Sequence, residues 1–211
     1  MRPAEATRAL RAIAAVLLLA TAVAGCGREK VPKLSAVGPN DVIVAFGDSL
    51  TYGTGASEAE SYPVVLGELI KRKVVRAGVP GEVTSGGLAR VESVIDEHQP
   101  KLMIVCLGGN DMLGRSADAQ VIANLREIIK TIKSRGISVV LVGVPRPGLI
   151  TETAPFYAEL AREFDIPYEG TIVIDVLYQR ELKSDPIHPN ARGYRKMAEA
   201  MAKLLKKAGA V

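Results

Sequence analysis

Residues 101–107, Lys-Leu-Met-Ile-Val-Cys-Leu, are apolar almost without interruption. A strand that shows one face to water alternates apolar and polar side chains, so an unbroken run this short fits a strand covered on both faces. Parallel sheets flanked by helices supply that environment. Similar runs recur at Val42–Ala45, Val74–Ala77, Ser138–Val144 and Thr171–Val176. Between them lie stretches at helical spacing: around Tyr62–Lys73, Gly86–His98, Val121–Ile132 and Ala154–Phe164. A last helix begins near Asn190 and uses Met197, Met201, Leu204 and Leu205. In the longest run Val121, Ile122, Leu125, Ile128, Ile129 and Ile132 share one helical face, with Ser116 as the expected cap and Gly136 as the stop. Five strands separated by helices predict an α/β domain over residues 41–211, with a parallel sheet and right-handed crossovers.

The start of the chain has a different character. Arg2, Arg8 and Arg11 precede the apolar run Ala12–Ala24, and Val23-Ala24-Gly25-Cys26 follows the pattern of a bacterial lipobox. The run is short for a spanning helix and has the layout of an export signal. Residues 1–25 are therefore expected to be a lipoprotein signal peptide, with Cys26 lipidated and residues 26–40 a flexible tether. That makes the protein an exported, lipid-anchored component of a bacterial cell envelope. The net charge of +4 is too small to imply nucleic acid as a partner. With Cys26 acylated, Cys106 has no disulfide partner and reads as a small buried hydrophobe.

Turn-forming residues follow several of the strands. They are Gly47-Asp48-Ser49 after the first, Gly78-Val79-Pro80-Gly81 after the second and Gly108-Gly109-Asn110-Asp111 after the third. Past the fifth comes Asp185-Pro186-Ile187-His188-Pro189-Asn190. In an open parallel sheet such loops converge on the carboxyl edge, where ligands bind. Each alone also reads as an ordinary turn or helix cap. The chain has two histidines: His98 closes a helix, whereas His188 is held between prolines.

Taken together and in order, GDSL at Gly47–Leu50, Gly81, GGND at Gly108–Asp111 and DPIHPN at Asp185–Asn190 resemble the four blocks of the GDSL/SGNH hydrolases. The stretch Thr84-Ser85-Gly86-Gly87-Leu88-Ala89-Arg90 is similar to the thioesterase–lysophospholipase, arylesterase-like branch. Arg76 and Gly78 depart from it, standing where many relatives carry an asparagine and a serine. The resemblance implies a three-layer α/β/α sandwich of flavodoxin-like topology and a serine hydrolase of carboxylic esters or thioesters acting through an acyl-enzyme. It implies Ser49 as nucleophile, His188 as base and Asp185 as its orienting carboxylate. The oxyanion donors would be the backbone N–H groups of Ser49 and Gly81 and the Asn110 side-chain amide.

No cofactor or metal is called for, and no Cys/His cluster has ligand spacing. The expected substrate is a small-molecule or lipid acyl ester, acted on by a monomer. Loops Met112–Ser116 and Pro145–Thr153, with Leu113, Leu149 and Ile150, are expected to contact the acyl part. Deacetylation of an envelope polysaccharide, and a non-catalytic envelope binding lipoprotein on the same fold, are the alternatives.

Overall fold

The computed structural model describes residues 31–146 and 152–211; the signal segment, Cys26, Leu149 and Ile150 lie outside them. A parallel sheet carries β1 (Val42–Gly47), β2 (Lys73–Gly78), β3 (Leu102–Cys106), β4 (Ser138–Val142) and β5 (Tyr168–Glu169) in the order β2-β1-β3-β4-β5. The central strands are the most apolar, and every residue of β3 is buried. Helices cover both faces. On one, α2 (Tyr62–Ile70) packs against α8 (Ala191–Ala208). On the other, α3 (Thr84–His98) packs against α5 (Asp118–Ser134), which in turn meets α6 (Pro155–Phe164). The expected faces are inward: Val121, Leu125, Ile128, Ile129 and Ile132 on α5, and Met197, Met201, Leu204 and Leu205 on α8. The α5 cap falls at Ala117, one residue beyond the expected Ser116.

The fifth strand is not where the β-branched run suggested. Residues 172–176, Ile-Val-Ile-Asp-Val, are the bulk of helix α7 (Ile172–Tyr178), and β5 is the two-residue edge just before it. Glu169 supplies the reason. Its carboxylate accepts from the backbone N–H of Thr171 (3.0 Å) and of Ile172 (3.1 Å), meeting amide donors that a starting helix leaves without partners. Val173 and Val176, three apart, are buried on the inner face. At α8 Gly193 a Cβ would come within 2.7 Å of Val176 Cγ1, so only glycine allows this approach. Tertiary packing here outweighs the weak helix propensity of valine and isoleucine.

A second correction concerns the tether. Residues 31–37 lie on the domain: Leu34 N–H donates to Ala208 O (3.0 Å), Val37 N–H to Ala210 O (2.8 Å), and the Val37 side chain is buried. The first takes up a carbonyl that the end of α8 would otherwise leave open, and the second extends the contact past it. Arg72 Nε donates to Val37 O (3.0 Å), tying the segment to the chain after α2.

The feature that builds the working edge is register. Gly47 pairs with Gly78 on β2 and with Cys106 on β3, so three strands end level. A Cβ on Gly78 would stand 2.2 Å from Tyr52 N, 2.6 Å from Thr51 C and 2.7 Å from Asp48 O, all backbone. The loop after β1 thus lies directly over the end of β2, which gives the departure at Gly78 a steric reason in this chain. Arg76 braces the same loop, with Nη1 donating to Tyr52 O (2.6 Å) and Nη2 paired with Glu58 (2.9 Å).

Two glycines separate the causes of glycine dependence. Gly136 adopts φ +71° with open space around its Cβ position, so Gly136→Ala costs backbone strain alone, about 1 kcal/mol. Gly78→Ala must displace backbone and is expected to cost ~3 kcal/mol or more. Urea midpoints of the two variants measure the difference; equal losses would mean the loop over β2 yields freely.

Candidate active site

Asp48 and Ser49 form the tight connection from β1 into α1 (Ser49–Tyr52), a single helical turn. Asp48 is the N-cap, its Oδ1 accepting from Leu50 N–H at 3.0 Å. Gly53, at φ +93°, ends the turn against Ser61, whose Cβ would lie 2.5 Å from any added side chain. As the first residue of a helical turn, Ser49 has a backbone N–H with no acceptor inside the helix.

The histidine arrives from a loop built independently of the sheet. Lys183 and Pro189 bridge in antiparallel fashion, and Ser184 N–H donates to His188 O (2.9 Å). Asp185 Oδ1 accepts from the backbone N–H groups of Ile187 and His188, both at 2.9 Å, which folds its carboxylate back toward the imidazole. Asn190 caps α8 through Oδ1, while its Nδ2 donates to Glu181 O (2.9 Å). Tyr194 OH, one turn into α8, donates to Thr54 O (2.7 Å) and ties this loop's support to that of Ser49.

The outcome is a continuous chain of contacts. His188 Nδ1 lies 2.7 Å from Asp185 Oδ2, and His188 Nε2 lies 3.0 Å from Ser49 Oγ. Burial pushes the Asp185 carboxyl up, but the bonds from His188 Nδ1 and the two backbone N–H groups outweigh it and hold the carboxyl below its ordinary range. It is therefore an anion at neutral pH, able to fix the imidazole with its proton on Nδ1 and its lone pair on Nε2 facing Ser49. His98 ends α3, far along that helix from Thr84 at the working edge, with Glu97 3.7 Å away.

Asn110, in α4 (Gly109–Leu113), lines the same cavity as Ser49 and His188. Its Nδ2 donates to Glu82 O (2.9 Å) and lies 3.5 Å from Asp48 Oδ2, too long to be more than a weak contact. Gly81 is not among the residues that line the cavity. It is the third residue of the turn Val79–Glu82, at φ +79°, with Pro80 before it and Glu82 N–H closing on Val79 O (3.1 Å), a type II pattern. Behind these loops is a buried polar network. Thr84 N–H and Oγ1 both donate to the Asp111 carboxylate (2.8 and 2.7 Å), and Asn124 Nδ2 donates to Thr84 Oγ1 (2.9 Å). Asp111, from the short helix α4, thus caps α3, the helix after the turn that follows β2.

The cavity has a volume of about 450 Å³. Leu50, Leu113, Val144, Ile174, Leu177, Tyr178 and Ile187 give it apolar walls; Lys183 and Arg146, the latter paired with Asp118, add charge. Leu113 and Pro145 fall in the loops expected to contact the substrate. Ile174, Leu177 and Tyr178 were missed, because 172–176 read as a strand. Their i, i+3, i+4 spacing was the available signal of a helix face.

Residues 45–196 match the model of the GDSL-like lipase/acylhydrolase family. The chain belongs to that family. It is 31% identical over 173 residues to thioesterase 1/protease 1/lysophospholipase L1 of Escherichia coli K12, covering 78% of this chain and 83% of that one. Arylesterase of Vibrio mimicus is 26% identical, over 80% of this chain and 90% of its own. Among solved structures, the SGNH-hydrolase family esterase AlinE4 superposes with a TM-score of 0.64 at 32% identity, covering 82% of this chain and 98% of its own. TesA does so with 0.72 at 24% identity, over 80% and 99%, a likeness of fold. This GDSL chain is accordingly an ester hydrolase on an SGNH-type α/β sandwich, as its motifs implied.

Asp48 is 2% exposed, and its environment sets a testable cost. Burial pushes its carboxyl from 3.8 up to about 7; the Leu50 N–H opposes this, and the negative charges of Glu82 and Asp111 add to it. Between those two values the folded state holds a proton that the unfolded state has released, so stability falls as pH rises from about 4 to about 7. Ionising the buried group costs on the order of 4 kcal/mol. Asp48→Asn keeps the capping oxygen and abolishes the titration. Relative to the parent it is expected to gain several kcal/mol between pH 4 and pH 8, read by denaturant unfolding. A stability difference that does not change with pH would refute this.

Proposed function

We propose that the protein is a serine hydrolase of carboxylic esters or thioesters that works through an acyl-enzyme on Ser49. The observation that carries the reading is the Ser49–His188–Asp185 chain of contacts at the wall of an apolar cavity. His188 Nε2 takes the Ser49 proton as Oγ bonds to the acyl carbon. The same proton then leaves with the alcohol or thiol as the bond to it breaks. A water activated in the same way hydrolyses the acyl-serine. Charge on the carbonyl oxygen would be met by Ser49 N–H and Asn110 Nδ2, whereas Gly81, expected as the third donor, sits on an adjoining turn that does not line the cavity.

The apolar walls favour substrates with a hydrocarbon acyl part. The relatives named for thioesterase, lysophospholipase and arylesterase activities suggest that acyl thioesters, lysophospholipids and aryl esters be assayed first. Deacetylation of a polysaccharide would ask for a polar groove, which these walls do not favour. A binding protein would have no use for the complete relay.

We further propose that the protein is exported to the cell envelope, lipid-anchored through Cys26, and acts as a monomer. The lipobox supports the anchor.

A fluorophosphonate probe is expected to label the parent and His98→Ala at equal rates, His188→Ala slowly and Ser49→Ala not at all. Absence of label on the purified parent would replace the hydrolase reading with the binding-protein one. Asn110→Ala is expected to lower kcat by ~10²–10³ with little change in KM. An effect confined to KM would make Asn110 a binding residue instead.

The anchor is tested by Cys26→Ser, expected to remain uncleaved by lipoprotein signal peptidase and to move from the detergent to the aqueous phase after extraction. Unchanged processing and partitioning would remove the lipid anchor from the proposal.

A further inference from the structure

The reaction as proposed leaves Arg90 without a role, yet it is held by four hydrogen bonds and an aromatic ring at the working edge. Arg90 lies in the second turn of α3. Its Nε and Nη2 reach the two carboxylate oxygens of Glu82 at 2.7 and 2.6 Å, a bidentate pair. Nη2 also donates to Gly47 O and Ala77 O, both at 3.1 Å. Its guanidinium carbon stands 4.1 Å over the Phe46 ring. Arg90 therefore grips the last residues of β1 and β2 and, through Glu82, the turn that follows β2. The Glu82 side chain is only 8% exposed and that of Arg90 22%, so the pair is shielded from water and counter-ions.

The backbone of Glu82 does something separate from its carboxylate: its carbonyl accepts the Asn110 Nδ2 bond at 2.9 Å. An amide NH₂ has two donors in a fixed plane. With one N–H committed to Glu82 O, the plane and the direction of the second N–H are set by where residue 82 stands. Residue 82 is in turn fixed by the Arg90 fork. The sequence leaves space for this: a Cβ at Gly86 would come within 3.1 Å of Glu82 Cγ, so glycine there lets the Glu82 side chain fold back to Arg90.

We propose that Arg90 is a positioning residue that acts through Glu82 to orient the Asn110 amide for the transition state. The inference rests on the reading of Asn110 as an oxyanion donor. A lysine at 90 would keep the charge, but a point-like ammonium cannot hold a carboxylate in two places and two carbonyls at once. A merely structural pair would cost stability without choosing among kinetic constants. A positioning pair should lower kcat, leave KM nearly unchanged, and do so only while Asn110 is present.

The test is a double-mutant cycle on the full enzyme, with Tm recorded for each variant. Arg90→Lys and Glu82→Gln serve as the mild variants, since loss of the whole Arg90 side chain could unfold the edge. Each is expected to lower kcat about ten-fold or more with KM within two-fold of the parent. In the Asn110→Ala background the same changes are expected to leave kcat within two-fold of Asn110→Ala alone. Equal losses in both backgrounds, or none in either, would overturn the proposal. A second measurement keeps it separate from the assignment of Asn110. The Asn110 side-chain amide resonances, identified by their absence in Asn110→Ala, should shift in Arg90→Lys and in Glu82→Gln. If they shift while Asn110→Ala keeps the parental kcat, Arg90 orients the amide but the donor role fails, and with it the catalytic half of the proposal. If they do not move, Arg90 does not position Asn110.

Discussion

Gly47, in register between Gly78 and Cys106 and accepting from Val79 N–H at 3.0 Å, is the point on which the site depends. Its own Cβ position is occupied on both sides, 2.3 Å from Cys106 O and 2.3 Å from Thr51 Oγ1. Nothing larger than glycine fits, and because nothing larger is there, the chain can fold back at once into the turn that carries Ser49. Three loops therefore leave the sheet at one height, and residues far apart in sequence meet without long connecting segments. This is the switch point of an open parallel sheet, where neighbouring connections run to opposite faces and leave a crevice between them.

Precision at such an edge comes from polar pairs that are nearly or wholly buried. Asp111 caps α3 through Thr84, Arg90 fixes Glu82, and Tyr157 OH donates to Leu107 O at 2.7 Å. Gly108, at φ +111°, admits that last contact, since a Cβ would lie 2.4 Å from the phenol oxygen. Each bond costs desolvation and returns little net stability, but each has a geometry that an apolar contact lacks. The apolar core decides that the sheet forms; these polar contacts decide where its loops point.

The sheet was legible because its strands are short apolar runs and its helices periodic, and the residues proposed as the triad were legible because they sit in compact motifs. The Ser49, Asp185 and His188 side chains do meet, and Asn110 joins their cavity. What escaped was set by contacts distant in sequence. Glu169 and Gly193 make a helix of a β-branched run, and with it three cavity residues, Ile174, Leu177 and Tyr178. Val37 turns an expected tether into part of the domain by burying one side chain beside the end of α8. The Arg90–Glu82 clamp spans eight positions, further than any helical period would pair, and only the folded turn between them brings them together.

Asp48 shows why those contacts matter for chemistry. A carboxyl 2% exposed, one residue from the proposed nucleophile and influenced by Glu82 and Asp111, is an expensive group to keep charged. Its Oδ1 role as the cap of α1 needs only an acceptor, which a neutral carboxyl also offers. Ionised, it would place a negative charge beside the proposed oxyanion site, opposing the stabilisation that the proposed donors would provide. Burial that favours the neutral form removes much of that opposition at neutral pH. Arg90 neutralises Glu82 by pairing, whereas Asp48, with no cation bonded to it among the described residues, has its neutral form favoured by burial. The same desolvated edge thus handles two carboxylates differently, and both arrangements leave the potential around Ser49 and Asn110 less negative than the residue types alone would make it.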